Sequence, residues 1–195
     1  MQDSDQALQQ EILDFWFGLS GSAEYGKTRD VWFRKDDEFD AAIRRRFGAA
    51  VDRAIAGEFI TWDTARAALA RVLLLDQFTR NIYRGTPRAF AGDAIALQVA
   101  EKTVSRGDDA RLIPVERWFL YMPFVHTESA ASQARSVQLF TRLRDETGLA
   151  EPLDWAHRHA EVIRRFRRYP HRNAILGRES TPEELEFLAQ PRSGF

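Results

Sequence analysis

The chain has 195 residues, 44% of them hydrophobic and including 14 Phe and 5 Trp, which is enough for one domain with a substantial core. Its 28 Lys and Arg nearly balance 29 Asp and Glu, so no overall charge draws it to nucleic acid or to a membrane surface. Cysteine is absent, which excludes disulfides, thiolate metal sites and a cysteine nucleophile.

The expected domain spans residues 1–195, with 1–6 and 190–195 as loose ends. Met1 to Asp5 lack the basic and apolar regions of a signal peptide. No apolar run approaches the roughly 18 residues of a membrane span. A cytoplasmic location is the expectation.

Leu8, Ile12, Phe15, Trp16 and Leu19 fall on one helical face, with Gly18 as a stop. Ser20 to Ser22 form a loop, and Trp32-Phe33 anchors a short connector. From Asp36, the positions Phe39, Ile43, Phe47, Ala50 and Ala54 predict an amphipathic helix that ends near Gly57. Arg44-Arg45-Arg46 spread around that helix and read as a solvated face rather than a nucleic-acid contact.

Thr61 is the predicted N-cap of a central helix whose face runs through Trp62, Ala65, Leu69 and Val72. Asp63 would lie in its first turn. This helix is apolar on nearly every side through Leu73-Leu74-Leu75, as befits a core element. It then becomes polar at Asp76-Gln77-Phe78-Thr79-Arg80-Asn81. Asp76 and Arg80 stand i,i+4 apart with the acid first, the favourable order for an ion pair.

A helix follows from about Asp93 to Ser105, stopping at Gly107. Pro114 opens the next, which Pro123 is expected to end or kink. Ser129 caps a helix whose inner face is predicted as Ala134, Val137, Phe140 and Leu143, up to Gly148. Pro152 begins another, with Trp155, His159, Val162 and Phe166 turned inward. Thr181-Pro182-Glu183-Glu184 is a capping box with proline at the first helical position.

No stretch alternates as a strand would, so the predicted class is all-α. An internal pattern recurs: a helix ends at glycine, and the helix after it ends in a polar cluster. The clusters are Asp76 to Asn81, His126-Thr127-Glu128 and His171-Arg172-Asn173. Stacked antiparallel helix hairpins would bring such helix ends to one side of a compact array.

Ile12-Leu13-Asp14-Phe15-Trp16-Phe17-Gly18, Leu75 to Ile82, Tyr121 to Glu128 and Pro170 to Thr181 together resemble a bacterial and fungal family catalogued as domain of unknown function 924. The resemblance covers nearly the whole chain. Thr127 stands where serine is more usual, and either hydroxyl would serve. The resemblance implies a tetratricopeptide-like helical fold and brings no established activity, cofactor or catalytic residue.

The same residues are the candidates for chemistry. Asp76, Gln77, Arg80, Asn81, Arg84, Arg172, Asn173 and Arg178 are the candidate ligand-binding groups. His126, Glu128 and His171 are the candidate proton-handling, catalytic groups. Four arginines against the acids Asp76 and Glu128 would give a surplus of positive charge, and the arginine fork suits a carboxylate or phosphate. Asp76, His126, Glu128 and His171 make only a weak metal set, and no metal is assigned. His159 lies on an apolar face and reads as a packed histidine.

Two functions fit these residues. One is a small anionic ligand held in a polar pocket, with or without catalysis. The other is a protein-interaction scaffold, in which Asp76 and Glu128 tie down arginines while amides and histidines cap helix ends. No glycine-rich phosphate loop or nucleophile elbow points to a named reaction.

Overall fold

The computed structural model describes residues 2–191. They form an all-α protein with no strand among the described residues. Helix α1 covers Gln2–Phe17, α2 Asp37–Ile55 and α3 Ala65–Val72; a π-helical segment, Leu73–Phe78, then leads without a break into α4, Thr79–Ile82. Next come α5 (Asp93–Ser105), α6 (Pro114–His126), α7 (Ala130–Thr147), α8 (Glu151–Phe166) and α9 (Pro182–Leu188). Contacts gather these elements into two units: residues 1–84 with 88–123, and residues 85–87 with 124–195.

The first unit is built on aromatic rings. Trp16 and Phe17 of α1 meet Phe119 of α6 edge-on at 5.4 and 5.7 Å. Trp32 lies 4.7 Å from the same ring. Phe78 joins Trp16 and Phe47 at 5.4 and 5.0 Å. Such contacts add to the area these rings remove from water. The end of α1 is closed by Arg29, whose Nη1 donates to the carbonyls of Phe15 and Trp16 at 2.8 and 2.7 Å. Gly18 follows in the left-handed region (φ +88°), where a side chain would also press on Glu24. The Ile12 to Gly18 motif is thus a helix end fixed in an aromatic core.

In the second unit α7 packs along α8, joined by the short turn at Gly148 to Ala150. Val162, Ile163 and Tyr169 form a small core with Phe166 and Phe187 against it. The predicted caps Ser129 and Thr181 are in place: each accepts from the backbone amide three residues on, as Asp36 does for α2, and Glu184 completes the capping box.

Several expectations need correcting. The central helix is capped by Thr64, which accepts from the Ala67 amide, rather than by Thr61, so Trp62 and Asp63 precede the helix. Leu19 lies beyond the end of α1 and is exposed. Of the two outcomes expected at Pro123, it does not end α6, which runs on to His126. The inner face of α7 is Gln133, Ser136, Leu139, Phe140 and Leu143, with Ala134 exposed and Val137 only half-buried. That of α8 is Leu153, Ala156, His159, Val162 and Ile163, with Trp155 turned out under Arg158. In both helices a small or polar residue faces inward where size alone had favoured a neighbour. Residues 2–6 belong to α1 rather than to a loose end. Residue 1 and residues 192–195 of the expected loose ends lie outside the described residues.

Candidate functional site

In the first unit, the polar end of the central helix begins inside its π-helical segment. Asp76 is fully buried. Its carboxylate lies 3.3 Å from Arg80 and accepts from Gln77 Nε2 at 2.5 Å. Arg80 also donates to the backbone carbonyl of Asp76 at 2.5 Å and grips Asp93, in the first turn of α5, through both oxygens at 2.9 and 3.0 Å. Arg80 therefore bridges two acids, one on each helix. The favourable i,i+4 pair expected between Asp76 and Arg80 is present.

Beside them, Asp40 of α2 accepts from Asn81 at 2.7 Å and from Arg84 at 2.9 and 3.1 Å. Thr79 donates to the Leu75 carbonyl at 2.9 Å. Gly92 packs on that same carbonyl so closely that a Cβ there would stand 2.2 Å from it. A π-helix is wider than an α-helix and recurs at functional positions. Here the π segment places the buried Asp76 beside the start of α5.

In the second unit the structure brings together His126, Glu128, His171, Arg172, Asn173 and Arg178. Glu128 receives Arg178 through both oxygens at 2.7 and 2.9 Å and the Tyr169 amide at 2.8 Å. Burial drives the Glu128 carboxyl upward, but Arg178 and the Tyr169 amide outweigh it and hold it below the usual carboxylate range. Arg178 Nε donates to Asn173 at 3.0 Å. Asn173 donates in turn to Ser180 and Glu184 at 3.0 and 3.2 Å. Glu184 is gripped by Arg168 at 2.6 and 2.7 Å, which lowers its carboxyl to about 2.

Tyr169, fully buried, is the hub of this unit. Its hydroxyl donates to the Val125 carbonyl and accepts from Gln133 Nε2 at 2.9 Å. Gln133 also donates toward the Val125 and Thr127 carbonyls at 2.7 and 2.9 Å, so its amide closes the C-terminal end of α6. Arg172 is buried, its guanidinium 4.6 Å above the Tyr169 ring. His171 packs on that ring at 5.5 Å, and His159 meets it edge-on at 5.7 Å. His159 Nδ1 lies 2.7 Å from the Trp155 carbonyl, which can only accept, so that nitrogen carries the proton.

Burial, reinforced by the positive charge of neighbouring groups, keeps both imidazoles neutral. His159 falls to about 3 in spite of its bond to the Trp155 carbonyl, with Arg172 adding to the effect of burial, and His171 falls to about 4, with Arg172 foremost among its neighbours. His126 and His171 stay half-exposed, so solvent reaches both. Among the described residues no cluster of three or more His, Asp or Glu is arranged to hold a metal. No helix among them is long and apolar enough to cross a membrane.

Sequence reasoning missed Asp40, Asp93, Arg168 and Tyr169. The two aspartates lie in the first turn of a helix, an ordinary place for an acid that says nothing of a distant arginine. Tyr169 borders the motif at Pro170, and that adjacency was its only signal.

A family model for bacterial proteins of unknown function (DUF924) matches residues 12–192. Among solved structures, a protein of unknown function from Agrobacterium tumefaciens, ATU0120, is 38% identical. The match covers 95% of this chain and 99% of that one, with a TM-score of 0.85. A search of curated proteins matches none of them.

Proposed function

We propose that this chain, which belongs to the bacterial family of unknown function DUF924, binds a small organic anion at the polar cluster of its second unit. One observation carries the reading: His171, Arg172 and Arg178 gather around the carboxylate of Glu128, with His126 beside His171, a group richer in donors than in acceptors among the described residues. Arg172 would supply the charge. His171, kept neutral by burial, would give or take a hydrogen bond at the edge that solvent reaches, and at about 4 it would act near neutral pH only as a weak base. Asn173 and Arg178, bonded to each other and to Glu128, would hold the loop that carries His171 and Arg172. The Asp76, Gln77, Arg80, Asn81 and Arg84 group is read as the clamp of its own unit, because Asp40 and Asp93 engage its cations.

The test is thermal unfolding with a panel of small carboxylates and phosphate esters, each against sodium chloride of equal ionic strength. A true ligand at about a hundred times its Kd adds about 2.7 kcal/mol to stability. The wild type is expected to show this with at least one compound, and Arg172→Ala is expected to lose it. If no compound exceeds the salt control and Arg172→Ala merely unfolds at lower temperature, the cluster serves the fold. The interaction-scaffold reading then takes its place.

A further inference from the structure

The first unit contains a second concentration of positive charge, away from every motif discussed above. A cleft of about 30 Å³, partly open to solvent, lies between α3, α5 and the segment that precedes α3. Arg71, Lys102, Arg106, Trp62, Asp63 and Thr103 are on its walls.

Arg71 is the unusual member. It is 8% exposed, yet among the described residues no carboxylate pairs with it and its Nε has no hydrogen-bond partner. A buried cation in that position is costly unless something supplies opposite charge. The indole N–H of Trp62, 3% exposed, likewise has no partner among the described residues. Lys102 is exposed and takes part in no ion pair among them. Arg106 is shared with Asp108 at 2.5 Å and Asp63 at 3.8 Å. Those two acids offset Arg106 and no more than one further cation. The walls therefore remain positive, and the Arg71 guanidinium has no carboxylate to balance it among the described residues.

We infer that this cleft is a binding site for a small oxyanion of the phosphate or carboxylate kind, anchored by the Arg71 guanidinium with Lys102 at its rim. The size sets the class. Drug-sized ligands occupy roughly 300–1,000 Å³, and this space of about 30 Å³ admits one or two oxygens of a small anion and no extended cofactor. The arginine fork donates to two oxygens of one anion at once, which selects oxyanions over chloride.

The experiment is isothermal titration of the full chain with inorganic phosphate and, separately, with acetate, at ionic strength held constant by sodium chloride. The expected result is saturable binding of at least one of the two, which also identifies the anion class. Arg71→Met and Lys102→Glu are each expected to weaken it by roughly tenfold or more, whereas Lys27→Glu, the same charge change at an exposed lysine off the cleft, leaves it unchanged. The titrations are run in an Arg172→Ala background, so that anion held by the cluster of the second unit is not counted. Unchanged affinity in Lys102→Glu, whose exposed position spares the fold, overturns the assignment. So does the absence of binding by either anion. Should Arg71→Met fail to fold, Lys102→Glu alone decides the assignment.

Discussion

Arg178 holds Glu128 through both carboxylate oxygens, at 2.7 and 2.9 Å, across 50 residues of sequence. Both side chains are about three-quarters covered. The pair also fixes the Tyr169 amide and Asn173, so it ties the end of α6 to the loop before α9. Glu128→Gln and Arg178→Met are each expected to cost about 1–2 kcal/mol, less than a fully buried charged pair because water still screens part of it. In a double-mutant cycle the two losses should fall short of additivity by about 1 kcal/mol. Additive losses by chemical denaturation would mean that the two groups act separately.

Acid should weaken the second unit. His159 and His171 are neutral in the folded chain, at about 3 and about 4, against 6.5 when unfolded. Their contribution is complete above about 6.5, where neither state binds the proton. It is lost as pH falls toward 4, because the unfolded chain binds protons that the folded chain refuses. Each group takes about 1.4 kcal/mol per pH unit within that window. Glu128 and Glu184, both lowered, lose their contribution in the same direction but at more acid pH. Denaturant midpoints measured between pH 7 and 4 should fall steadily, and more gently in His159→Phe. A flat profile would contradict the burial of these imidazoles.

Gly92 is required by proximity rather than by backbone angle. A Cβ at that position would meet the Leu75 carbonyl at 2.2 Å and its Cα at 2.9 Å, and backbone atoms cannot swing aside. Gly92→Ala is therefore expected to cost about 1–3 kcal/mol or more, in spite of alanine's better helix propensity. A thermal midpoint at or above that of the wild type would show that α5 can back away from the π-helical segment.

Arg71 makes the opposite prediction. With no carboxylate partner among the described residues, its burial lowers its own basicity and burdens the fold. Arg71→Met fills similar volume without the charge and is expected to raise stability by about 1 kcal/mol in anion-free buffer. A loss of similar size would make the arginine part of the scaffold.

The sequence by itself determined the helices, because their signals are local. Asp36, Ser129 and Thr181 reach amides three residues away, and Gly57, Gly107 and Gly148 take positive φ values that other residues avoid. The error at Thr61 had the same origin: two threonines three positions apart are equally good caps, and only the packing of Trp62 chooses Thr64. The motifs singled out from their odd composition proved to hold the buried polar networks of both units.

What the tertiary structure alone decided was the choice of partners. Arg84 and Asn81 could be counted in the sequence, but not that Asp40, 44 and 41 residues away, would answer both. Nor did any local signal show that Arg80 would span Asp76 and Asp93, or that Arg71 would be buried with no acid paired to it among the described residues. A cap is settled by one turn of backbone. An ion pair is settled by which helix faces pack together, and that sums over the whole core.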